Sequence, residues 1–140
     1  MAALNLQPSK QPILDRCGGI LLVDDEQLIL DVVTPMLQRL GYHVFVASGG
    51  FEALEIYQRH RDHVDLVILD MIMPEISGGE TFDRLRRIHP QAKVLLSSGY
   101  CIEGLATEIL DRGCNGFLQK PFTLNSLSQK ISEILQKDPD

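Results

Sequence analysis

Short runs that are almost wholly apolar alternate along this chain with longer stretches whose apolar residues recur every three or four positions. The first run, Ile20-Leu21-Leu22-Val23, ends at Asp24-Asp25. Behind it, Ile29, Val32, Val33, Met36, Leu37 and Leu40 predict one face of a helix that Gly41 stops. Leu28 and Leu30 fall off that face, and Pro35 within it deletes a backbone hydrogen bond and predicts a kink. Val44 to Ala47 reads as a second strand, and Ser48-Gly49-Gly50 opens a helix carrying Ala53, Leu54 and Tyr57. Val64 to Leu69 is a third strand that ends at Asp70. Phe82, Leu85 and Ile88 mark a helix that stops before Pro90. Val94 to Leu96 is a fourth strand ending at Ser97-Ser98, followed by a helix with Ile102, Leu105, Ala106, Ile109 and Leu110 that Gly113 stops. Phe117-Leu118 is a fifth, ending at Lys120-Pro121. Leu124, Leu127, Ile131, Ile134 and Leu135 mark a last helix, with Thr123 or Asn125 as its N-cap.

Strands alternating with helices of this length predict an α/β fold, a parallel sheet covered on both faces. Strands apolar at nearly every position agree with it, because both of their sides are buried. The strand ends are where the polar residues sit. Asp24, Asp25, Asp70, Ser98 and Lys120 all follow or close a predicted strand. In an open parallel sheet those ends share one edge, where ligands bind at the reversal of strand order. Each residue also has a plain structural role open to it: N-cap for the Asp pair, turn residue for Asp70 and Ser98, solvated surface cation for Lys120. Independent capping residues, however, have no reason to converge. Two carboxylates ~4 Å apart repel by about 4 kcal/mol at an effective dielectric of 20, so three on one edge call for a cation. Oxygen-only ligands in an open site favour Mg²⁺, with Mn²⁺ as the alternative ion. Lys120 adds a mobile positive charge suited to gripping an anion such as a phosphoryl group.

Length and charge narrow the reading. The chain has 140 residues and a net charge of −6, which suits one domain and argues against direct nucleic-acid binding, since phosphate backbones demand clustered Lys and Arg. Cys17, Cys101 and Cys114 are odd in number and lack C-x-x-C spacing, so neither a zinc site nor a disulfide framework is expected. Reduced thiols point to the cytoplasm. No apolar run is long enough to insert in a membrane. Residues 1–17 read as a flexible lead-in or linker, and 18–138 as the domain. His43, His60, His63 and His89 are scattered over predicted loops and helix ends.

Four segments now stand in order: Ile20-Leu-Leu-Val-Asp-Asp-Glu26, Asp65-Leu-Val-Ile-Leu-Asp-Met-Ile-Met-Pro74 with Gly78, Val94-Leu-Leu-Ser-Ser-Gly99, and Gly116-Phe-Leu-Gln-Lys-Pro-Phe122. From Gly19 to Leu135 the chain resembles the receiver domain of bacterial two-component response regulators. The resemblance implies a doubly wound, flavodoxin-like fold: a five-stranded parallel sheet in the order 2-1-3-4-5 with five helices. It implies that Asp70 is the phosphoacceptor. Asp25, Asp70 and the backbone carbonyl of Ile72 would ligate Mg²⁺, with Asp24 acting through water. Lys120 would pair with the phosphoryl group, and the Lys120-Pro121 peptide would be cis. Ser98 would be the switch hydroxyl, preferred to Ser97 because Gly99 follows it, and Phe117 the aromatic switch.

The implied partners are a histidine kinase or histidine phosphotransfer domain as donor, and a downstream protein or fused domain as output. The domain would not be a stand-alone enzyme, although it promotes its own phosphorylation and dephosphorylation. An ordinary carboxylate, with a pKa near 4, is ionised at pH 7 and nucleophilic. Ile72 and Tyr100 would flank the phosphoryl group and shield it from water. Leu28 and Leu30 could meet a kinase helix. The runs at 97–100 and 119–122 resemble receivers fused to hybrid histidine kinases. Since lead-in and receiver use up the 140 residues, output would come from another chain or from sequence beyond this one. Three rival readings differ in class. A Mg²⁺-dependent aspartyl phosphatase needs a second acid where Ile72 stands. A flavin mononucleotide carrier needs a Ser/Thr/Gly loop where Asp24-Asp25-Glu26 stands. A degenerate receiver would act as a phosphorylation-independent interaction module.

Overall fold

The computed structural model describes residues 18–99 and 103–136. The expected lead-in over 1–17, together with Tyr100, Cys101, Ile102 and residues 137–140, lies outside them. Strands and helices alternate as β1 Gly19–Val23, α1 Gln27–Arg39, β2 His43–Ala47, α2 Gly50–His60, β3 Leu66–Asp70, α3 Gly78–Ile88, β4 Val94–Ser98, α4 Glu103–Asp111, β5 Gly116–Gln119 and α5 Leu124–Gln136. A 3-10 turn, Arg61–His63, follows α2. All strand pairings are parallel and their order is β2-β1-β3-β4-β5, the doubly wound α/β arrangement. After β2 the chain crosses back over β1 to lay down β3. That reversal opens a crevice at the C-terminal ends of β1 and β3.

The core has two layers, one on each face of the sheet. On one face Leu21, Val23, Val67, Leu69 and Leu96 meet Ala53 and Tyr57 of α2, Phe82 and Leu85 of α3, and Ala106 and Ile109 of α4. On the other, Ile20, Leu22, Leu66, Ile68 and Leu95 meet Leu30, Val33 and Leu37 of α1 and Leu127, Ile131 and Ile134 of α5. Successive strand residues point to opposite faces, which is why the central strands β1, β3 and β4 are apolar in unbroken runs and buried throughout. The edge strands β2 and β5 keep partly exposed positions. Gly41 and Gly113, expected as helix stops, have φ of +99° and +105°, where a Cβ would be strained.

Several local expectations shift. On α1 the buried residues are Leu30, Val33 and Leu37, whereas Val32 is 53% exposed. The apolar stripe of this helix is wider than the face it buries, and spacing alone does not locate its centre. Leu30 is therefore core, and only Leu28 of the pair faces solvent. Leu105 on α4 is likewise exposed. β3 starts at Leu66 rather than Val64. Thr123, not Asn125, caps α5: its Oγ1 accepts from Ser126 N at 3.0 Å, and Ser126 Oγ accepts from Thr123 N. Pro35 does lie inside α1.

Candidate functional site

Register brings the strand ends level. Val23 pairs with Ala47 and Leu69, Asp70 with Ser97, and Ser98 with Gln119. The backbone continues these pairings beyond the strands: Asp24 N donates to Ala47 O, Met71 N to Ser97 O and Lys120 N to Ser98 O. Asp24, Asp70, Ser98 and Lys120 thus arrive at one sheet edge through main-chain bonds. Asp24, Asp70 and Ser98 are all buried, and Asp25 is exposed.

Asp24 does not cap α1, whose N-cap is Glu26 without a side-chain capping bond, yet both of its carboxylate oxygens are engaged. Its Oδ1 accepts from Glu26 N at 2.9 Å, steadying the turn into α1, and its Oδ2 accepts from Lys120 Nζ at 2.6 Å. Lys120 Nζ also reaches Asp70 Oδ1 at 3.4 Å and lies 4.0 Å from Glu26 Oε1. Carboxylate oxygens of Asp24, Asp25 and Asp70 lie within 4.8 Å of one another, the one such acidic or metal-ligating group of three among the described residues. Asp25, Glu26, Asp70, Ile72, Ser98, Gly99 and Lys120 line a cavity of about 460 Å³ over this cluster. Ser97 is not on its wall, so of the two serines it is Ser98 that the cavity reaches. Ile72 is half exposed beside Asp70. Phe117 on β5 is half-buried against the core, and the Lys120-Pro121 peptide is cis.

Crowding changes the acid. Asp70 is pushed up to about 7, first by burial and then by the charge of Asp24, and Lys120 only partly offsets this. The expectation of an ordinary carboxylate near 4 therefore does not hold for the metal-free site. Lys120 moves the other way. Burial alone would lower it, but the hydrogen bond it donates to Asp24 and the charges of Asp70 and Asp24 raise it above the usual lysine value. Three carboxylates with oxygens within 4.8 Å of one another, of which Asp70 is raised by burial and then by the charge of Asp24, are a donor set that fits a hard divalent cation.

Two residues of the motif segments have no role assigned to them from the sequence. Glu26 was only the third acid of a run, yet it borders the cavity and Lys120. Gly78, first residue of α3, donates from its N to Met71 O at 2.9 Å. A Cβ there would collide with the Asp70 carbonyl oxygen and come within 2.7 Å of Met71 Cα. Gly78→Ala is expected to destabilise the fold by about 2 kcal/mol, lowering Tm by several degrees, because the clash is with backbone that cannot rotate away. Thermal unfolding followed by circular dichroism measures this; an unchanged Tm would show that the β3–α3 loop yields freely.

The profile of the family described as response regulator receiver domain matches residues 20–132. The chain is 36% identical over 137 residues to the sensor kinase CckA of Brucella abortus, covering 98% of this chain and 14% of that protein. It thus spans about one seventh of that relative's length. Among solved structures, a response regulator receiver domain protein from Clostridium thermocellum superposes with a TM-score of 0.82 at 31% identity, covering 86% of this chain and 95% of that one. The response regulator TrrA of Thermotoga maritima, solved in complex with Mg²⁺ and BeF, superposes with a TM-score of 0.76 at 32% identity, covering 84% and 99%.

Proposed function

The chain belongs to the response regulator receiver domain family of two-component phosphorelay signalling, and on that premise we propose that Asp70 is the residue that takes the phosphoryl group. The observation that carries this is the placement of Lys120 Nζ, 2.6 Å from Asp24 and 3.4 Å from Asp70 at the floor of an open cavity. Asp25, Asp70 and the Ile72 carbonyl would hold Mg²⁺, with Asp24 acting through water. When bound, the ion supplies positive charge that offsets the charge on the phosphoryl oxygens.

The chain's own residues do the rest. A carboxylate oxygen of Asp70 bonds to phosphorus as the P–N bond of a phosphohistidine breaks. Lys120, bonded to Asp24, would turn toward a phosphoryl oxygen, and Ser98, a residue of the cavity wall, would hydrogen-bond another. Movement of Ser98 with Phe117 would then shift the population between two states at the β4–β5 side of the sheet. The donor would be a histidine kinase or phosphotransfer domain, and the output a separate protein or a fused domain. The domain would work in the cytoplasm, without turnover beyond its own phosphorylation and dephosphorylation. Among the described residues no helix is long and apolar enough to cross a membrane. Residues 1–17 would be a linker to 18–138.

The test is the intact mass of the chain after incubation with Mg²⁺ and a small acyl phosphate. A gain of one phosphoryl group is expected; no gain would leave an interaction module that does not use phosphorylation. Ile72, half exposed on the cavity wall, would shield the acyl phosphate from water. Ile72→Asn is expected to speed its hydrolysis about three- to tenfold, since a polar side chain there can orient an attacking water. Phosphate release after removal of the donor gives this rate, and an equal or slower rate in the variant would remove the shielding role.

A further inference from the structure

A separate cavity of about 230 Å³ lies between α3 and α4 and shares no wall residue with the one over Asp70. Met71 and Ile109 are buried on its walls, and Leu105 joins them although it is 48% exposed. The two helices approach at Gly79, where a Cβ would lie 3.2 Å from Ile109 Cδ1. Gly79 itself lines the cavity, so that wall is bare backbone. Glu80, Asp83 and Glu108 also line it, against a single guanidinium, that of Arg112. Arg112 is already engaged: its Nε donates to Asp83 Oδ1 at 3.0 Å and a terminal nitrogen donates to Gly79 O at 3.4 Å. Glu80 is paired with Arg84 at 2.7 Å. Glu108 is exposed, one turn on from Leu105 on the same face of α4, and has no hydrogen bond or ion pair among the described residues. An apolar recess beside an unneutralised carboxylate favours an occupant that is apolar at its tip and positive on its flank. At about 230 Å³ the recess is smaller than the roughly 300 Å³ at which small-molecule pockets begin, and it suits one large side chain of a protein.

We propose that the α3–α4 cleft is a docking groove for a basic amphipathic helix of a partner protein, with one aliphatic side chain of that helix seated against Met71, Leu105 and Ile109 and a Lys or Arg one turn away paired with Glu108. The groove goes beyond phosphoryl transfer and does not require Asp70 to be the acceptor. Its wall nonetheless reaches the acceptor's own strand. Met71 follows Asp70, and Met71 N donates to Ser97 O at 3.0 Å, so an occupant of the cleft rests on the segment that carries Asp70.

The test uses the full chain with ¹³C-labelled methionine methyls and a designed alanine-based peptide of roughly 16 residues, long enough to hold a helix in water. The peptide carries one central leucine with a lysine one turn to either side, and a control peptide has glutamate for each lysine. The lysine peptide is expected to shift the Met71 methyl and leave that of Met36 in place, and the glutamate peptide to shift neither. Glu108→Lys and Leu105→Asp, both at exposed positions, are each expected to weaken binding about tenfold, the scale of one charge-assisted hydrogen bond or one buried leucine. Circular dichroism of the two variants is expected to match wild type. A lysine peptide that leaves Met71 unmoved, equal Met71 shifts with both peptides, or binding that neither variant weakens overturns the groove. Wild type that sediments alone as a dimer, and as a monomer once Leu105→Asp is introduced, would overturn the partner helix and assign the cleft to a second copy of the chain.

Discussion

Asp70→Asn, given Mg²⁺ and a small acyl phosphate, is expected to keep its mass where the wild-type chain gains one phosphoryl group. The amide matches the carboxylate in shape but has no anionic oxygen to attack phosphorus, so the rate should fall by at least about a hundredfold, below detection. Removing the divalent ion with a chelator is expected to do the same to wild type. Lys120 then remains as the site's nearest cation, and its contacts go to Asp24 and Asp70 rather than to an incoming anion. Phosphorylation of Asp70→Asn at the wild-type rate would move the acceptor to Asp24 or Asp25. Asp24 is the less suited of these, since one oxygen is held by Glu26 N and the other by Lys120.

The same substitution should make the metal-free protein more stable at neutral pH. Asp70 in the folded chain is raised from 3.8 to about 7. Between those values the folded state holds a proton that the unfolded state has released. Its contribution to stability is therefore complete below the unfolded value near pH 3.8, falls as pH rises, and is gone above about pH 7. The loss across that window is on the order of 4 kcal/mol for a buried group with a shift of this size. Asp70→Asn has no such proton to lose. Denaturant unfolding of the two proteins without divalent ions, at pH 5 and pH 7.5, should show the variant gaining on wild type as pH rises. Mg²⁺ should narrow the gap, because it binds the ionised cluster of wild type. A gap that stays constant with pH would mean Asp70 titrates as an ordinary carboxylate.

The alternation of apolar runs with helical stripes was enough to place five strands, five helices and a parallel sheet. It was also enough to set Asp24, Asp25, Asp70, Ser98 and Lys120 at the sheet's C-terminal edge, because periodicity of 2 or 3.6 residues is a local property of the chain. Four motif segments then carried the family and the strand order. Other properties depend on which residues meet across long sequence separations. The stripe on α1 contains more apolar residues than one face can bury, and contact with the sheet selected Leu30, Val33 and Leu37 and left Val32 outside. Ser98 over Ser97 rested in the sequence only on a following glycine, whereas in the fold Ser98 lines the cavity and Ser97 does not. Lys120 and Asp24 are 96 residues apart in sequence and 2.6 Å apart in space. Residue types and their order determined that three acids and a lysine would share an edge. Only the tertiary structure decided that burial would carry Asp70 to about 7 and that Glu26 would border the cavity beside Lys120. Desolvation and Coulomb energy depend on depth and distance, and neither exists until the strands have paired.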